Sequence, residues 1–166
     1  MRPCSPATRS NGEQGIQPYQ QPAKEIAMTT IHPADASPAV HTVEAFYTAL
    51  ADGDLAAALA RLGDSVVWHE APGMPYEGAA PYHGAQDVAE HVLGPITADV
   101  DQLTLTNHEV IALGTTVACL GTYHGTAKRS GRQLTLPYLH VWTVTDGRIT
   151  EFRQFTDTAA YKAVLR

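Results

Sequence analysis

A chain of 166 residues is long enough for one ordinary domain with a real core and short for two. With 44% hydrophobic and 17% charged residues it reads as globular rather than disordered. A net charge of −6 argues against a nucleic-acid partner, and the one basic cluster, Lys128-Arg129-Ser130-Gly131-Arg132, is too short for a phosphate footprint.

The N-terminal stretch is rich in Ser, Pro, Gln and Gly from Pro3 to Pro22. Such a composition buries too little apolar surface to offset its ordering entropy. No stretch of about 7–15 apolar residues follows Arg2, as a secretory signal would require. Residues 1–36 are therefore read as a disordered or extended tail and residues 37–166 as the folded domain. Met28, where the composition changes, is a candidate start. Cys4 falls in the tail and Cys119 in a strand, so no disulfide is expected and a cytoplasmic location fits. No apolar run approaches the roughly 20 residues that cross a bilayer, so no membrane partner is expected.

Ser37-Pro38 is a helix start, a hydroxyl N-cap before a proline at the first helical position. Val40, Val43, Phe46, Tyr47 and Leu50 follow at helical spacing, and Gly53 ends the run. Asp54 caps a second helix that carries Leu55, Ala58, Leu59 and Leu62 and ends at Gly63. Ser65 to Ala71 reads as a strand, followed by a Pro- and Gly-rich loop. A third helix from Gly84 carries Val88, Val92 and Leu93, with Gly94-Pro95 as its breaker. Strands are expected near 102–113, 115–127, 133–145 and 148–156, and the Asp146-Gly147 turn is the strongest hairpin signal. A short helix, Thr158 to Leu165, closes the chain. Helices followed by a strand meander predict an α+β fold, with the helices on one face of a curved sheet.

Alternation puts Leu134, Leu136, Tyr138, His140, Trp142 and Val144 on one face of the 133–145 strand, the bulkier face that should meet the helices. His140 is its only strongly polar member. Read alone it is a neutral core histidine. With His69 of the first strand directed into the same cavity, the two become candidates for acid–base chemistry. The other face, with Leu139 and Val141, is apolar enough to predict a homodimer. Pro137 suggests a bulge. Eight histidines occur without metal-ligand spacing, and neither a phosphate loop nor a dinucleotide fingerprint is present, so no metal and no cofactor are expected. Glu70 points to the strand face opposite His69 and forms no dyad with it.

Several runs resemble SnoaL-like and ketosteroid-isomerase-like proteins of the nuclear transport factor two-like superfamily. They are Phe46-Tyr47 to Leu55, Asp64-Ser65-Val66-Val67-Trp68-His69-Glu70, Pro72-Gly73, Tyr82-His83-Gly84 and His140 to Asp157. The resemblance covers about residues 38–165. It implies a cone: a curved antiparallel sheet wrapped on three N-terminal helices around a deep central pocket, commonly as a homodimer. It also implies that His69 stands at the position of the isomerase base, His140 at that of the oxyanion donor, and Phe46 at that of the helix-one tyrosine. Gly121, Tyr123 and Gln154 match the charged set of limonene-type epoxide hydrolases, yet none is a carboxylate or guanidinium.

The resulting expectation is a cofactor-free acid–base enzyme of isomerase or cyclase type, acting on a small, largely apolar carbonyl or polyketide-like metabolite. His69, His140, Tyr123 and Gln154 are its candidate catalytic residues. Phe46, Trp68, Met74, Tyr138, Trp142 and Phe152 are its candidate ligand-binding wall. The alternatives are a pocket protein without catalysis and an epoxide-opening hydrolase with a non-standard residue set.

Overall fold

The computed structural model describes residues 37–78 and 80–166. The tail expected over 1–36 lies outside the described residues.

Helix starts fall where capping chemistry puts them. In α1 (Pro38–Ala51) Ser37 Oγ accepts the Val40 N–H at 3.3 Å. In α2 (Leu55–Leu59) Asp54 Oδ1 accepts the Ala57 N–H at 2.9 Å. Strand β1 (Leu62–His69) follows, then the short β2 (Tyr82–His83). Helix α3 (Gly84–Val88) does not stop at Gly94-Pro95 as expected. A π turn over Ala89–Leu93 carries it into α4 (Gly94–Asp99), with the Gly94 N–H bonded to Ala89 O, five residues back. Pro95 has no N–H to give, and its ring crowds the carbonyl four residues earlier. A locally widened turn relieves both and keeps the chain helical.

The meander is β3 (Val100–Leu113), β4 (Thr116–Ala127), β5 (Gln133–Thr145) and β6 (Arg148–Thr156), closed by α5 (Thr158–Leu165). At the β5–β6 turn Asp146 and Gly147 both have positive φ, 51° and 72°, as a tight hairpin demands. Six strands form one curved open sheet in the order β2-β1-β6-β5-β4-β3. Every neighbouring pair is antiparallel except β1–β6, which is parallel. The fold is α+β, with helices packed on the sheet's inner face.

The bulge expected at Pro137 is absent. β4 and β5 pair without a shift from Thr116–Thr143 to Thr126–Gln133. Thr156 Oγ1 donates to Pro137 O, so the backbone edge of Pro137 that lacks an N–H faces β6, one residue beyond the last β5–β6 pair, Tyr138–Thr156. A proline there removes no ladder bond. Register shifts occur instead in β1 between Leu62 and Val67, in β5 between Thr143 and Val144, and in β3 between Asp101 and Thr104 and between Asn107 and Glu109, with Gln102 at φ 51°.

Two apolar clusters fill the inner face. One gathers Val43, Phe46, Val66, Trp68, Trp142, Ile149 and Phe152. The other gathers Met74, Tyr76, Tyr123, Leu134, Tyr138 and Tyr161. Among the described residues no helix is long and apolar enough to cross a membrane.

Candidate functional site

Between the two clusters lies a cavity of about 210 Å³. Helix α1 contributes Phe46, Tyr47 and Leu50, α4 contributes Ile96 and Thr97, and the irregular start of β3 contributes Leu103 to Leu105. The inner faces of β4, β5 and β6, the end of β1, the π turn and the α1–α2 junction supply the rest. Trp68, Trp142 and Phe152 form a contiguous aromatic wall, with ring centroids 3.9 Å apart for Trp68–Phe152 and 4.4 Å for Trp142–Phe152.

One side of the cavity carries a chain of hydrogen bonds. Trp142 Nε1 donates to the Tyr47 hydroxyl at 3.2 Å, and that hydroxyl lies 2.8 Å from His140 Nδ1. His140 Nε2 lies 2.5 Å from the Tyr123 hydroxyl, to which Gln154 Nε2 donates at 2.9 Å. Gln154 Oε1 accepts the Ala71 N–H at 3.2 Å, which fixes the orientation of the amide. Burial pushes His140 down to about 3, so its imidazole is neutral at pH 7. Burial likewise holds the Tyr47 and Tyr123 hydroxyls above the ordinary phenol range, so both keep their protons.

Glu70 stands beside this chain, one residue past the end of β1. Its Oε1 accepts the Trp68 indole N–H at 2.7 Å, and among the described residues its buried Oε2 has no hydrogen-bond partner. Burial pushes the carboxyl up to about 7, against a smaller lowering by the Trp68 bond. A carboxyl so placed divides between acid and base near neutral pH, which suits a group that takes and returns a proton.

Of the residues singled out from the sequence, Tyr123, His140 and Gln154 meet in the hydrogen-bonded chain, and Phe46, Trp68, Trp142 and Phe152 line the cavity. Three do not line it. His69 lies on the opposite face of β1, one-third exposed, with Nε2 3.7 Å from Glu151 Oε1. The face with Val66 and Trp68 is the buried one, so alternation sends His69 outward. Met74 packs into the second apolar cluster. Tyr138 stands behind His140, ring centroids 4.1 Å apart, and its hydroxyl donates to Asn107 Oδ1 at 2.7 Å. Its ring crosses Gly121, where a Cβ would run into it.

Two functional groups escaped the sequence reading, Glu70 and Tyr47. The signal for Glu70 was the alternation Val66, Trp68, Glu70. The signal for Tyr47 was its place beside Phe46, which matches the family's helix-one tyrosine but cannot donate: the α1 hydroxyl at this cavity comes from the next residue.

A SnoaL-like domain model matches residues 43–152. Comparison with curated proteins gives no match. Among solved structures, an NTF2-like protein of unknown function from Burkholderia pseudomallei is 31% identical with a TM-score of 0.72, over 78% of this chain and 98% of that one. TerC, co-crystallized with polyporic acid, is 28% identical with a TM-score of 0.70, over 78% of this chain and 98% of its own. An LEH-like epoxide hydrolase from M. tuberculosis is 27% identical with a TM-score of 0.61, over 78% and 90%. With the matched model covering most of the cone, from α1 into β6, the chain belongs to the SnoaL-like domain family.

Proposed function

We propose that the protein is an acid–base enzyme of isomerase or cyclase type, acting on a small, largely apolar carbonyl compound with no cofactor. The observation that carries this reading is Glu70: a buried carboxyl, titrating near 7, with one unpartnered oxygen, on an aromatic cavity whose other polar side is a neutral tyrosine–histidine–tyrosine chain. Glu70 as carboxylate takes a proton from the carbon next to the carbonyl. The hydroxyl chain holds the oxygen while negative charge develops there, and Glu70 returns the proton to another carbon. His140, neutral and enclosed, supports the hydroxyls and is not itself the base. The co-crystallisation of a 28%-identical relative with polyporic acid supports an organic ligand for this cavity.

The test is deuterium incorporation into 2-tetralone, a small apolar ketone with acidic α-protons, followed by NMR in D₂O. The wild type is expected to accelerate exchange, and Glu70→Gln to lower the catalysed rate by about 10²-fold or more. Exchange no faster with protein than without it sinks the catalytic reading, and binding without exchange favours a pocket protein.

The 27%-identical LEH-like relative favours a second reading, epoxide opening. Glu70 is the only carboxyl among the described residues that line the cavity and would have to activate the water. Hydrolysis of styrene oxide separates the two readings. The outer sheet face, where Phe155 is 51% exposed beside its β5 partner Leu139, supports our further proposal of a homodimer. A monomer mass by light scattering at micromolar concentration counts against that.

A further inference from the structure

The hydrogen-bonded chain Trp142–Tyr47–His140–Tyr123–Gln154 has a definite proton count. Both ends are anchored by groups that can only donate there. The Trp142 indole nitrogen has no acceptor capacity, and the Gln154 amide nitrogen faces Tyr123 because its oxygen takes the Ala71 N–H. Between these ends lie two links, Tyr47–His140 and His140–Tyr123. Three protons are available for them: one on each hydroxyl and one on the neutral imidazole. Two links use two protons, so one hydroxyl proton is left over.

The tautomer of His140 decides where it sits. With the proton on Nε2, the imidazole donates to Tyr123 and accepts from Tyr47. Tyr123 then has both lone pairs occupied, by Gln154 and His140, and its O–H is free. With the proton on Nδ1 the situation reverses, and the free O–H belongs to Tyr47. In either arrangement one hydroxyl has both lone pairs full and can only donate.

The surroundings favour the first arrangement. Tyr123 is joined through Gln154 to the N–H of Ala71, the residue that follows Glu70, and Tyr123 and Glu70 line the same cavity, whereas Tyr47 stands on α1 against Trp142. A free O–H on Tyr123 therefore has the carboxyl with the unpartnered oxygen in its neighbourhood. A free O–H on Tyr47 sits among the Phe46 and Trp142 rings, 6.1 and 5.6 Å between centroids, and the Cys119 thiol, whose sulfur is only a weak acceptor.

We propose that His140 is a positioning residue held as the Nε2–H tautomer, and that it makes the Tyr123 hydroxyl an obligate donor to a ligand oxygen. The chemical class read at this point is a hydrogen-bond acceptor on an apolar frame: a ketone, an enolate or a phenolate. This rests on the cavity being the ligand site, as proposed above, but not on turnover.

The full-length protein labelled with ¹⁵N-histidine tests the tautomer directly. The His140 signal is identified as the one missing from the spectrum of His140→Phe. Two-bond ¹⁵N–¹H correlation at pH 7 is expected to show Nε2 protonated and Nδ1 bare. An Nδ1–H tautomer, or an imidazolium, overturns the proposal. Tyr123→Phe removes the acceptor of the Nε2 proton and is expected to shift the tautomer to Nδ1–H, donating to Tyr47.

The second readout compares binding of 2-tetralone with that of tetralin, the same frame without the oxygen. The wild type is expected to prefer the ketone by about tenfold, the size of one hydrogen bond. Tyr123→Phe should abolish the preference. A preference that survives Tyr123→Phe, or none in the wild type, overturns the assignment. If tautomer and preference both hold while 2-tetralone shows no deuterium exchange, only the catalytic reading fails.

Discussion

The sheet carries a glutamate and a histidine on each of its faces, and the two pairs of residues behave differently. Outside, His69 and Glu151 lie 3.7 Å apart, each side chain 34% exposed, with Arg153 2.7 Å from the same carboxylate. Water screens such contacts, and they add little to stability. Inside, Glu70 and His140 are 6% and 4% exposed. Desolvation pushes the carboxyl up to about 7 and the imidazole down to about 3, each toward its neutral form. Residue type is the same on both faces. Burial moves the inner pair to where a proton can be exchanged at neutral pH or a hydrogen-bond direction fixed.

The comparison breaks most visibly in turnover. Glu70→Gln should cost about 10²-fold or more in any proton transfer the cavity performs, whereas His69→Gln should leave the rate within about twofold. Equal losses from both would place chemistry on the outer face.

Stability against pH sharpens it next. Glu70 titrates near 7 when folded against 4.5 when exposed, so its contribution is whole below pH 4.5 and is lost as pH rises through 7. His140 has the opposite sign. Its contribution is whole above pH 6.5 and is lost as pH falls toward 3. The two slopes oppose each other between pH 4.5 and 6.5, where denaturant midpoints should be nearly flat. Glu70→Gln should remove one slope, giving a stability that climbs to pH 6.5 and is higher than wild type at pH 8 by about 2 kcal/mol. A variant less stable than wild type at pH 8 contradicts burial as the cause.

Next in size is His140→Phe, which strips both tyrosine hydroxyls of a partner and should lower stability by about 2 kcal/mol at pH 7. The smallest effect is His69→Gln, at most about 1 kcal/mol by chemical denaturation.

Helix starts and hairpins were legible because they are local. Ser37, Asp54 and Asp146-Gly147 act through neighbouring backbone, and each does in the structure what its chemistry implies. The continuation past Gly94-Pro95 was not legible, since a π turn leaves no composition signature. The strand face of His140 was read from its apolar neighbours. That of His69 was read from its alternation with Val67 instead, although Val66, Trp68 and Glu70 form the bulkier face. The raised Glu70 carboxyl depends on walls brought from α1, α4 and β3, and no local pattern reports them.

Strand β3 is an edge within the described residues, 14 residues long, with one side of its backbone facing away from β4. A long, flat edge is a template on which another chain can add a strand. Here two register shifts and the left-handed Gln102 interrupt it, and Asp101, Asn107 and Glu109 place exposed polar groups along it. Bulges of this kind twist a strand out of plane. The irregular segment that brings Leu103 to Leu105 to the cavity thus also leaves the sheet a poor seed for strand-by-strand growth into aggregates.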